Sequence, residues 1–298
     1  MAQRKSGWAA YPLLTPTWMV LGAFFLAPLL LMLLVSFALR GTYGGTAPIL
    51  SLAEHLRSGA AFTNYLRSIE PVFLQIAWRS LWMALVTTLL CLAVSFPIAY
   101  YIALWAPKRW KNLLLGLVAI PFWTSFLIRT YAWMFILRRE GLLNFLLDWS
   151  GFQHQPLDLL YTQTAVLIGL VYGELPFMIL PLYASLEKLD RSLLEAASDL
   201  GAGRIASFFR VTVPLTQPGM IAGIILVFIP SLGQFIVSDL LGGARSMLLG
   251  NLIQNQYTAA RNKPFGSAIA FELTAAVLLL LAAYALYARR KGVEEDLL

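Results

Sequence analysis

Charge is what this chain has least of. Asp, Glu, Lys and Arg make up only 12% of its 298 residues, where an ordinary soluble domain carries about 25%. Hydrophobic residues make up 59%, and the mean hydropathy is +0.72. A soluble fold of this length buries only about 75% of its extended-chain surface, so it has nowhere to hide so much apolar area. Lipid has to serve as solvent for the rest, and no stretch is left over for a soluble catalytic domain. Cysteine is nearly absent too. The single Cys91 lies inside an apolar run, which excludes an intramolecular disulfide and a multi-cysteine metal site. The two histidines, His55 and His154, are far apart and have no partner at metal-ligand spacing. No Gly-rich Lys/Ser phosphate loop and no nucleophile–base pairing is present, so any ATP hydrolysis must come from another chain. The net charge of +7 does not point to nucleic acid, because its positive residues are scattered beside apolar runs, as membrane proteins place them.

What is present is a series of long apolar runs. A helix crossing lipid needs about 20 largely apolar residues, and six candidates occur, near 15–39, 79–105, 112–137, 161–184, 216–238 and 264–288. The expected fold is an all-α integral membrane protein. Ser6 to Leu39 is uncharged for 34 residues, too long for a signal-peptide core, and is read as a retained first helix. With the N-terminus cytoplasmic, twelve Lys and Arg fall in inside segments and eight in outside segments. Lys108-Arg109-Lys111 and Arg289-Arg290-Lys291 are the strongest anchors, while Arg138-Arg139 argues the other way. The asymmetry places both termini in the cytoplasm. The apolar stretch after Gly141 is too short to span and suits a small helix lying at the membrane surface.

The cytoplasmic segment 185–215 is the most informative. Leu189, Leu193, Ala196 and Leu200 recur at helical spacing, with Glu187, Asp190, Arg191 and Asp199 on wetter faces. Gly201 and Gly203 end that helix, and Pro214 closes the next short element. An amphipathic hairpin of this kind offers a docking surface. Gly201 lets the chain reverse closely, and Ala196 and Ala197 allow a partner to approach. Glu195 has two readings: a charged contact to a partner, or the last member of a capping box beginning at Ser192.

The run Glu195-Ala196-Ala197-Ser198-Asp199-Leu200-Gly201, followed by Val211-Thr212-Val213-Pro214, resembles the EAA loop of ABC-importer permeases at every fixed spacing. Pro121 to Trp133, Pro176 to Tyr183 and Leu240-Leu241-Gly242-Gly243 are similar to the polyamine branch of that family. The resemblance implies a type I importer (MetI-like) permease fold over residues 1–298, with 185–215 as its coupling segment, in a bacterial inner membrane. It implies a second permease subunit, two cytoplasmic ATPase subunits holding ATP and Mg, an extracytoplasmic solute-binding protein, and putrescine or spermidine as solute. The EAA positions carried over are Glu195, Ala196, Ala197, Gly201, Val211 and Pro214. The Ser207-Phe208-Phe209 run departs from the pattern, and its rings suit seating the hairpin against the membrane. An ABC-importer permease for another small solute is the alternative within the family; an ion-gradient-driven carrier is the alternative from another class, and it would transport without an ATPase.

Ionisable groups at membrane depth are costly and each needs a reason. Glu174, between Gly173 and Pro176, reads either as a stop for an organic cation or as a charge paired with Arg129 or Arg79. Glu272 has the same alternatives. Trp123 and Tyr131 offer ring faces to a cation, whereas Trp133 fits an interfacial belt. Asp239, before Leu240-Leu241-Gly242-Gly243, is a candidate for attracting a cation at the outer mouth.

Overall fold

Apolar runs of this length form helices because lipid leaves backbone N–H and C=O groups no partners outside their own segment. The computed structural model describes residues 11–47, 57, 59–151, 155–243 and 246–290, with backbone alone at 11–14, 287, 289 and 290. His55, His154, Arg245 and the charged termini at 1–10 and 291–298 lie outside the described residues. Among the described residues helix is the regular element, with one isolated bridge between Arg40 and Thr46.

In chain order the helices are α1 (Tyr11–Leu21), α2 (Ala27–Ser36), α3 (Thr63–Ser68), α4 (Pro71–Tyr100), α5 (Lys108–Trp123), α6 (Phe126–Leu137) and α7 (Leu142–Trp149). They continue with α8 (Gln163–Glu187), α9 (Arg191–Asp199), α10 (Arg204–Ser207), α11 (Val213–Leu215), α12 (Gln217–Gly233), α13 (Leu249–Tyr257) and α14 (Lys263–Arg290). Among the described residues, four stretches are long and apolar enough to cross a membrane: Thr15–Ser36, Pro71–Trp105, Gln163–Glu187 and Lys263–Leu286. Two bent pairs raise the number to six if each is one span. Lys108–Trp123 with Phe126–Trp149 bends by 93°, and Arg204–Leu215 with Gln217–Gly233 bends by 68°. The expected third run is therefore not one straight helix. Thr124 and Ser125 are extended, and the Thr124 hydroxyl donates to the Pro121 carbonyl at 3.0 Å, closing α5 where the ladder stops. The small helix expected after Gly141 is α7.

The chain divides into two compact units, Met1–Leu74 with Leu252–Ala283, and Gln75–Asn251 with Tyr284–Leu298. In the first unit, Asn64 closes the end of α2: its Nδ2 donates to the Ser36 and Ala38 carbonyls at 2.8 and 2.9 Å. The Ser36 carbonyl is a helix-end acceptor without a helical partner, and the Ala38 carbonyl lies just beyond the cap at Phe37. Ser36 and Tyr65 share a 2.5 Å hydroxyl bond, and Phe37 packs against the Phe62 and Tyr65 rings.

The second unit is organised around α8, which is packed along much of its length by α12. Glycine sets their separation. A Cβ on Gly219 would stand 2.5 Å from the Pro181 carbonyl oxygen, and one on Gly223 would stand 2.6 Å from Met178 Sδ. The α4 helix packs on another side, where Cys91 Sγ and Ser95 Oγ face the Val171 and Leu175 carbonyls at 3.6 and 3.5 Å. Cys91, Met178, Leu182 and Val227 lie in one buried apolar cluster there. Many large apolar side chains elsewhere on these helices are exposed, as lipid-facing surfaces require.

Candidate functional site

The hairpin after α8 is built from its caps. Glu187, at the end of α8, accepts from Tyr183 Oη at 2.5 Å and pairs with Lys111 Nζ at 3.7 Å. Asp190 then caps α9 by accepting from the Ser192 N–H at 2.9 Å, and that bond holds its carboxyl below the usual carboxylate range. The capping box from Ser192 to Glu195 is not adopted, because the cap lies two residues earlier. Glu195 is exposed, and its carboxylate has no hydrogen-bond partner among the described residues. Ala196 is exposed beside it and Ala197 is partly buried.

The end of α9 explains its glycine. The Ala202 N–H donates to the Ala197 carbonyl and the Gly201 N–H to the Ser198 carbonyl, both at 2.9 Å. This is the Schellman closure, which needs a left-handed residue at the position Gly201 occupies with φ +81°. No heavy atom lies within 4 Å of where a Gly201 Cβ would stand, so the requirement is conformational rather than steric. In the returning limb, α10 leads through a π turn at Phe208–Thr212 into α11. Phe208 sits edge-on against Phe96 and Tyr100 of α4, at 5.1 and 6.0 Å between ring centres. The Arg191 guanidinium donates to the Leu104 carbonyl. Val211 is partly buried and Pro214 exposed. The hairpin is thus fastened to the end of the α4 span by one ring and one guanidinium. Other apolar side chains on it are uncovered, with Leu200 88% and Ile205 77% exposed and Phe209 also exposed. A cleft of about 460 Å³ opens between the hairpin and the end of α4, lined by Tyr100, Trp105, Leu194, Arg204 and Phe208 among others.

A second group of sequence-predicted residues gathers around the α5–α6 bend and α8. Trp123 is the last residue of α5 and is 87% exposed; Tyr131, on α6, is also exposed. Aromatic contacts hold both limbs of the bend to α8: Phe122 on Phe177 at 5.0 Å, and Trp133 on Tyr172 at 5.5 Å. Glu174 is on the same helix but only 5% exposed, and its Oε2 has no hydrogen-bond partner. Asp239 lies elsewhere in the unit, in the π turn Ser238–Gly242, exposed and accepting from Asn251 Nδ2 at 3.0 Å. Glu272 belongs to the first unit, where it is partly buried and accepts from Ser68 Oγ at 2.7 Å.

Asn251 carries no signal in the sequence beyond being polar. It is buried, its Oδ1 accepts from Ser238 Oγ and the Leu248 N–H, and its Nδ2 also donates to the Phe235 carbonyl. It therefore fixes the turn that presents Asp239. Asp190 is visible as a polar residue before α9, but Ser192 offers an equally good cap by residue type. Among the described residues, no group of three or more His, Cys, Asp or Glu could hold a metal ion.

Known proteins resemble this chain in sequence and in fold. The family of binding-protein-dependent transport system inner membrane components matches residues 95–293. The spermidine/putrescine transport system permease protein PotB of Haemophilus influenzae is 45% identical over 269 residues, covering 90% of this chain and 89% of that protein. PotB of Escherichia coli K12 is 47% identical over 221 residues, covering 74% and 80%. Among solved structures, a bacterial ABC transporter that imports the acidic polysaccharide alginate superposes with a TM-score of 0.70 at 17% identity, over 96% of each chain. The fold is therefore the helical one of ABC-importer permeases. This chain belongs to the family of binding-protein-dependent transport system inner membrane components, and it is a transport subunit rather than an enzyme.

Proposed function

We propose that this chain, as a member of that family, forms half of the path through which an ATP-driven importer moves putrescine or spermidine inward. A second permease subunit supplies the other half. Two cytoplasmic ATPase subunits hold ATP and Mg and do the hydrolysis, and an extracytoplasmic binding protein delivers the solute. Both termini face the cytoplasm. The hairpin 185–215 is the coupling element. The observation that carries this reading is its construction: a helix closed at Gly201 in a left-handed turn, presenting Glu195, Ala196 and uncovered Leu200. Ala197 supplies an acceptor of the closing turn, and Val211 and Pro214 belong to the limb that returns to the membrane.

The polyamine assignment is supported by the identity with permeases named for spermidine and putrescine. Chemistry agrees with it. Trp123 and Tyr131 offer exposed rings to a methylene stem and its ammonium ends, and the Asp239 carboxylate sits in a turn fixed by Asn251. Glu272 is a further carboxylate for such a path. Glu174, in contrast, is buried on α8.

The test is uptake by the complex reconstituted in liposomes with its own binding protein. ATP-dependent, saturable uptake of labelled putrescine or spermidine is expected, with neutral and anionic solutes failing to compete. Saturable uptake of a sugar or anion without polyamine competition would reject the solute and keep the importer. Uptake driven by an ion gradient without ATP would reject the importer.

A further inference from the structure

Two buried polar atoms of opposite character lack partners, and they belong to helices that meet at the α5–α6 bend. Arg129 Nε, on α6, has no hydrogen bond, and neither does Glu174 Oε2 on α8. No ion pair joins the two within 4.0 Å. Instead the Arg129 guanidinium rests over the Phe126 ring, 5.6 Å from its centre. The surroundings leave few other partners. Val171, Leu175 and Met178, near Glu174 on α8, belong to or pack on the apolar cluster that contains Cys91 and Val227. The Cys91 thiol is directed to the Val171 carbonyl.

The backbone around the pair is arranged for close approach and for movement. Phe126, one turn before Arg129, lies against Gly173, where a Cβ would stand 3.7 Å from its Cε2. Glu174 follows Gly173 directly. Pro176 and Pro181 interrupt the hydrogen-bond ladder of α8, and Thr124 and Ser125 interrupt the chain between α5 and α6. A buried polar group left unpaired is unfavourable, and Glu174 and the partly buried Arg129 gain from any shift of α6 along α8 that brings them together. Trp123 and Tyr131, on either side of the break, would move with it.

We propose that Arg129 and Glu174 form a latch that is open in this structure and closes in another state of the transport cycle, so that the pair positions the α5–α6 bend and its exposed rings. Glu174 then acts as the internal counter-charge of Arg129 and needs no contact with solute. The inference rests on the importer reading but not on which solute is carried. A two-state element of this kind transmits coupling only if the transporter's states favour its two arrangements differently.

The experiment uses the complete transporter in nanodiscs. With Cys91→Ala removing this chain's own thiol, Arg129→Cys and Glu174→Cys are combined and treated, in the nucleotide-free and the vanadate-trapped complex, with a bifunctional thiol reagent as long as the two side chains it replaces. The intrachain crosslink is then measured by peptide mass spectrometry. Because an Arg–Glu pair closes with its backbones farther apart than a disulfide tolerates, the reagent spans that gap, and a yield severalfold higher in one state is expected. Equal yields, or none in either state, overturn the latch. Glu174→Gln in the otherwise unaltered chain is expected to keep assembly and to lower uptake roughly tenfold, with ATP hydrolysis less dependent on the binding protein. Unaltered uptake and unaltered stimulation would also overturn it. A complex that traps nucleotide but carries a different solute changes neither readout, whereas one that cannot be trapped at all rejects the importer reading itself.

Discussion

At Gly201 the backbone, not the contacts, decides what can stand there. Its φ of +81° is a conformation that L-residues adopt at a cost of about 1–3 kcal/mol, and nothing surrounds the missing side chain. Substitutions should therefore rank by tolerance of the left-handed region and not by size. Gly201→Asn is expected to retain most uptake, Gly201→Ala less, and Gly201→Val almost none, with the chain still inserted in each case. Uptake and co-purification of the ATPase subunits measure this together, and a Val variant equal to the Asn variant would contradict it. This residue is legible in the sequence, because a glycine after an amphipathic run marks a helix end. Glu174 is legible only in part. Its depth follows from hydropathy, but which side of α8 it occupies depends on how α4, α6 and α12 pack, and no pattern along one helix records that.

Among the elements, α8 and α12 are the pair whose separation matters most, and two glycines make different demands on it. A Cβ at Gly219 meets the Pro181 carbonyl and Ser185 Cβ, both at 2.5 Å, so backbone would have to move. A Cβ at Gly223 meets Met178 Sδ at 2.6 Å, and a thioether can swing aside. Gly219→Ala should thus destabilise by about 1–3 kcal/mol, the usual range for overpacking, while Gly223→Ala should cost little. Thermal unfolding of the purified complex in detergent separates them, and equal shifts would mean that both sites relax alike. The bend at Thr124 and Ser125 shows what hydropathy cannot see. Both residues are uncharged, so hydropathy marks the run 112–137 only at Arg129 and not at the break itself. The break is a matter of backbone conformation, to which an average over side-chain polarity is blind.

For the whole molecule, the count of crossings and the distribution of charge have to agree. Among the described residues, four helices and two bent pairs give six crossings if each pair spans once, an even number that would leave Thr15 and Leu286 on the same side. The proposed side rests on Lys and Arg, whose excess is expected in cytoplasmic loops. Lys108, Arg109 and Lys111 stand where α5 begins, and Lys188, Arg191, Arg204 and Arg210 stand in the hairpin. Those two segments are also linked in the structure, through Lys111 with Glu187 and Arg191 with Leu104, so they must lie on the same face of the membrane. Arg138 and Arg139 lie one crossing away and oppose the bias, but Arg139 stands beside Asp158 at 3.9 Å, which offsets part of its charge. Reporter fusions after Gly45 and within 250–260 are expected to report the outer side, and a fusion at the end of the hairpin, after Leu215, the cytoplasm. A cytoplasmic signal at Gly45 would mean that the first apolar run does not cross, and an outer signal after Leu215 would invert the chain. The inverted arrangement would also carry the exposed hairpin away from any cytoplasmic ATPase, so the same fusions decide orientation and coupling face together.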